Sequence, residues 1–181
     1  MTEYRLGTLA GLQLRATLLA FAGSILLLVL LSGFAIGALH LPPGQALLGS
    51  LLAVLLHWIA ALAHHLGHAW AARRTGHPMR GVRFGMLGIL ATSLYPPDEL
   101  ALPAQIHIQR ALGGPMGSLL FTLVTLATGL VLQTAGESLG WVGTIFFLDN
   151  LLVFGLGPFL PLGFTDGSTL LHWWRKREAS E

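Results

Sequence analysis

Cysteine is absent from the sequence. Disulfides are therefore excluded, and so are thiolate-held metals, which leaves His, Asp and Glu to build any metal site. Charge is scarce as well. Only 10% of residues are Asp, Glu, Lys or Arg, where a soluble domain carries about 25%. Hydrophobic residues make up 54% and the mean hydropathy is +0.70. Such a chain cannot cover itself with a polar surface, so it reads as an integral membrane protein with the lipid bilayer as its surroundings. No Lys/Arg-rich run interleaved with aromatics is present, and nucleic-acid binding has no support. The 181 residues allow a single membrane domain, 1–181, and no substantial soluble one; nothing in them reads out an oligomeric state.

What is there is four long apolar runs, at about 16–39, 45–72, 108–134 and 141–162. Each is long enough to cross about 30 Å of hydrocarbon at 1.5 Å per residue. The first is longer than the apolar core of a signal peptide, about 7–15 residues, and no small-x-small cleavage site follows it, so a retained span is expected. The stretch 75–107 between the two pairs is rich in Gly and Pro. Its portion VRFGMLGILATSLY is apolar but broken by glycines, which fits a short hairpin or re-entrant loop packed against the helices. The expected fold is an all-α membrane protein of about four transmembrane helices. With four spans, Arg5 and Arg15, then Arg73, Arg74, Arg80, Arg83 and Arg110, then Arg175, Lys176 and Arg177 all fall on one side. These are all ten Lys/Arg of the chain, and the opposite loops hold only Glu137. The positive-inside rule then places both termini in the cytoplasm.

The second run ends in HHLGHAWAARR, 64–74. Residues four apart stack on one helix face, so His64 and His68 project together, a spacing that suits two imidazoles on one zinc. His57, seven residues before His64, lies near the same stripe, and His65 is turned about 100° away from it. A lone membrane histidine is most simply a buried group bonded to a neighbouring helix. Four within twelve apolar residues mark a site, because desolvated polar groups are expensive in lipid. A third ligand must come from elsewhere. Asp149 and Asp166 are the ionisable candidates, and depth favours Asp166: it lies nine residues before Arg175, as His68 lies five before Arg73. A haem or metal-transport role for the histidines, and a scaffold that grips transmembrane helices, are the competing classes.

Three stretches carry a family likeness. HHLGHAWAARRTGHP is similar to a HExxH helix, RALGGPMGSLL (110–120) to the ALAGPLANLL segment of the same family, and PFLPLGFTDGSTLL (158–171) to NLLPIPPLDGGRVL. The chain thus resembles the site-2-protease family of intramembrane zinc metalloproteases, over about 51–171. The resemblance implies zinc held by His64, His68 and Asp166 near the cytoplasmic side, and a transmembrane protein or peptide as substrate. It also implies a substrate groove lined or supported by Gly114, Pro115, Ser118, Pro161 and Gly167. The departures are as specific. His65 occupies the place of the catalytic glutamate, Ser118 and Pro158 replace two asparagines, and the PDZ or CBS modules of many members are missing.

In a HExxH site the glutamate accepts the proton of the attacking water and passes it to the leaving nitrogen, worth typically 10²–10⁴-fold. Neutral His65 could accept that proton, yet an imidazolium beside a divalent metal is penalised where a neutralised carboxylate is not. His65 could also bind the metal, or Glu99 of the central loop could serve as base. Two outcomes stay open: an intramembrane zinc peptidase, or a metal-binding pseudoprotease acting as scaffold or regulator. Gly113 and Gly117, with Pro115 expected at a helix start, read as a close helix-packing pattern.

Overall fold

The computed structural model describes residues 2–178. Among the described residues four helices are long and apolar enough to cross a membrane: α1 (Leu18–Gly37), α2 (Pro43–Arg74), α3 (Ala104–Thr134) and a fourth spanning Glu137–Phe159. That fourth span is α-helical over Glu137–Leu148 (α4), becomes a π-helix over Asp149–Leu156, and ends in a 3₁₀ turn, Gly157–Phe159. A final helix, α5 (Asp166–Glu178), follows. The chain is an integral membrane protein, and Leu30, Leu48, Leu120, Leu123 and Val131 present their side chains outward, as lipid-facing positions should.

Proline and arginine set the limits of α2. Pro43 sits in its first turn, where its missing N–H removes nothing the helix needs, and Arg73 and Arg74 in the last turn complement the helix dipole. Helices α2 and α3 then cross almost backbone to backbone. A Cβ on Gly67 would stand 2.3 Å from the Gly113 carbonyl oxygen, and one on Gly117 would stand 2.9 Å from the Gly67 Cα. Small residues at the crossing are what bring the histidine face of α2 against α3. Pro115 lies inside α3, not at its start as the sequence suggested, since α3 already begins at Ala104, just after its N-cap Pro103.

A small sheet accompanies the helices. Strands β1 (Glu3–Leu9) and β2 (Leu12–Thr17) pair antiparallel, β2 pairs parallel with β3 (Gly81–Met86), and β3 pairs antiparallel with β4 (Leu90–Leu94), in the order β1-β2-β3-β4. The N-terminal strand pair was not expected from the sequence, and α1 begins two residues later than the apolar run that contains it. The β3–β4 turn needs left-handed backbone at Leu87 (φ 50°) and Gly88 (φ 87°). Its tip packs on α1: a Cβ on Gly23 would lie 2.1 Å from the Gly88 carbonyl oxygen. The sheet therefore reaches in among the spans, and β4 runs along the α2 histidines.

Candidate metal centre

His64, His65 and His68 are all buried. The His64 Nδ1 lies 2.9 Å from the carbonyl oxygen of Phe154, and the His68 Nδ1 lies 2.8 Å from that of Arg110. A carbonyl only accepts, so both Nδ1 atoms donate and both Nε2 atoms present a lone pair. The Gly114 N–H approaches the His68 Nδ1 at 3.2 Å, and the Ser118 Oγ approaches that of His64 at 3.2 Å; the shorter carbonyl contacts fix the tautomers.

The two Nε2 atoms face each other at 3.0 Å. Asp166 completes the group, its Oδ2 3.3 Å from the His64 Nε2 and its Oδ1 3.4 Å from the His68 Nε2. Two imidazole nitrogens and a carboxylate converge on one point, an arrangement that a cation between them would satisfy, as would a proton on either Nε2. Among the described residues this is the group of His, Asp and Glu side chains whose ligand atoms lie close enough together to hold a metal ion. Burial pushes the Asp166 carboxyl up, but hydrogen bonds from His64 and His68, when they carry the proton, outweigh it and hold the group well below the usual carboxylate range. Gly114 leaves the space. A Cβ there would stand 2.3 Å from the His68 Nε2 and 2.5 Å from the His64 Nε2. Gly167 likewise seats α5, since its Cβ would meet the Phe159 carbonyl oxygen at 2.2 Å.

The group opens on a cavity of about 520 Å³ whose wall includes Leu90, Phe154, Pro158, Leu160 and Phe164. Pro161 does not line it and borders a separate depression with Gly163, Ser168 and Leu171. His65 also lines the cavity, and its Nδ1 bonds the Ser93 Oγ of β4 at 3.0 Å. It does not join the three converging groups. Glu99 reaches the cavity too, but both its oxygens are taken by Arg110, at 2.6 and 2.8 Å, and that guanidinium holds its carboxyl below the usual range. An ion-paired, acidified carboxylate is a poor base, which corrects the expectation that Glu99 could serve as one. Arg110 also donates to the His77 carbonyl and lies over the Tyr95 ring, 4.2 Å from its centroid. Burial pushes the Tyr95 hydroxyl up to about 12, so it stays protonated. His57, near the same stripe by sequence, bonds Asp149 of the fourth span instead, 3.0 Å away.

Ser93, Tyr95, Arg110 and Phe154 were not singled out as site residues by the sequence. Phe154 and Arg110 act through backbone carbonyls, which no side-chain pattern announces.

No family model matches the sequence, and no curated protein sequence matches it. Among solved structures the chain is similar to the Site-2 Protease from Methanocaldococcus jannaschii, with a TM-score of 0.59 and 18% identity over 94% of this chain and 70% of that one. At that identity the likeness establishes a shared fold.

Proposed function

We propose that the chain is an intramembrane zinc metallopeptidase homologue of the site-2-protease type, with His64, His68 and Asp166 as ligands and a transmembrane segment as substrate. The observation that carries the reading is the convergence of two bare imidazole nitrogens and a carboxylate at the wall of an apolar cavity. Ligand atoms around a tetrahedral zinc stand about 3.3–3.4 Å apart for bonds of 2.0–2.1 Å; the three separations here are 3.0, 3.3 and 3.4 Å. Zinc at this point would supply Lewis acidity, polarising a peptide carbonyl and activating water near neutral pH. The carbonyls of Phe154 and Arg110 orient the ligands, as such partners do in metal sites generally. The cavity's apolar wall accepts a membrane segment and limits bulk water. The clustering of all ten Lys/Arg supports the proposal that both termini, and the ligand-bearing end of α2, lie on the cytoplasmic side.

His65 sets the level of activity. It occupies the base position, and a proton taken there creates positive charge beside the metal, so slow or undetectable cleavage is expected from the natural sequence. In the test, His65→Glu is compared with the natural protein on a generic transmembrane peptide. A missing carboxylate predicts a gain on the order of 10²–10⁴-fold. A second reading, a pseudoprotease that grips transmembrane segments without cutting them, is favoured by the Ser93 bond that holds the His65 ring to β4. Zinc-loaded His65→Glu that cleaves nothing would support this second reading against the first.

A further inference from the structure

His57 and Asp149 form a second buried ionisable site, one that the metal centre does not use. The His57 Nδ1 lies 3.0 and 3.2 Å from the two Asp149 carboxylate oxygens, and its Nε2 lies 2.7 Å from the carbonyl oxygen of Ile89. Ile89 follows Gly88 at the β3–β4 tip, and its carbonyl can only accept. The Nε2 therefore carries a hydrogen, and a second proton must lie between Nδ1 and the carboxylate on whichever side it rests. The unit is neutral overall, as its place among the spans requires, and it grips the hairpin tip from α2 while Gly23 of α1 backs the tip from another side.

Both ends of this contact lead to the metal centre. From the tip, β4 runs back along the cavity with Leu90, Ala91 and Thr92 in its wall and reaches Ser93, which holds His65. From Asp149, the π-helix leads to Phe154, whose carbonyl holds His64 and whose ring lies 5.3 Å from that of His57. We infer that His57 and Asp149 are a positioning pair, which pins the β3–β4 tip to α2 and thereby sets the distance of the β4 wall from the three converging ligands. This rests on the cavity being the substrate chamber, but the positioning itself can be read without any cleavage.

The chemistry separates a specific latch from general packing. In Asp149→Asn the amide can donate to the Nδ1 while Nε2–H still bonds Ile89, so the latch survives without its second proton. In Asp149→Leu the Nδ1 has no partner, and in His57→Leu the tie to Ile89 is gone. Because the chain has no cysteine of its own, spin labels can be placed on cysteines introduced at Leu87, an exposed tip residue, and Leu123 on α3. The expected result is one narrow label-to-label distance in the natural background and in Asp149→Asn. Loss of that narrow distance is expected in Asp149→Leu and His57→Leu, with zinc content unchanged in all four proteins. A narrow distance in Asp149→Leu would overturn the inference, as would broadening in Asp149→Asn equal to that in Asp149→Leu. Zinc lost together with the tip's position would also overturn it, since the pair would then hold the whole bundle. Absence of zinc from the unsubstituted protein would instead count against the metal centre, while the distances still judged the latch.

Discussion

The Nε2 atoms of His64 and His68 stand 3.0 Å apart with their hydrogens on the far side of each ring, committed to the carbonyls of Phe154 and Arg110. Two lone pairs held at that distance repel one another unless a cation or a proton lies between them. The chain keeps them there with backbone atoms of two different helices, so the arrangement is enforced from both sides.

Gly114 tests whether that space is used. Its Cβ would fall within 2.5 Å of both Nε2 atoms, so Gly114→Ala should abolish zinc binding while the protein remains folded. Gly33→Ala, at a helix position with nothing within 4 Å, should bind zinc normally. Equal zinc in the two variants would show that the metal sits elsewhere.

The Glu99–Arg110 pair should matter to stability. The Arg110 side chain is only 5% exposed, and removing its partner leaves a buried charge uncompensated, at a cost of roughly 3–5 kcal/mol. Glu99→Gln should therefore unfold earlier in a detergent titration at pH 7. The Glu99 carboxyl is lowered in the folded protein, so the contribution is present above its ordinary value of 4.5 and is lost as pH falls through the lowered one. The gap between natural protein and variant should close only in that acid range. A variant as stable as the natural protein at pH 7 would refute the pair's role.

Membrane orientation can be read with single cysteines. Pro78→Cys lies between α2 and β3, and Ala135→Cys lies between α3 and α4; both positions are exposed. In intact cells an impermeant thiol reagent should label Ala135→Cys and spare Pro78→Cys. The reverse pattern would invert the proposed topology.

The spans were legible because continuous apolar runs have few other meanings, and the shared face of His64 and His68 was legible because four residues make about one helical turn. Asp166 was reached through depth, from its distance to Arg175, and through the likeness carried by residues 158–171. The N-terminal strands were there to be seen: Leu12, Leu14 and Ala16 alternate with Gln13, Arg15 and Thr17, the period-two pattern of a strand. That pattern runs straight into the apolar residues of α1, and the longer signal masked the shorter. The partnership of His57 with Asp149 joins positions 92 apart, and nothing local to either residue announces it. The same holds for Ser93 and His65, since the face that β4 turns to α2 depends on how the tip is seated.

The proposed activity depends on zinc held between His64, His68 and Asp166. Metal analysis of the protein purified without chelators, beside His64→Ala and His68→Ala, tests it most directly. One zinc per chain is expected in the natural protein, and loss of stoichiometric zinc in both variants. No zinc in the natural protein, or zinc retained in both variants, would contradict it.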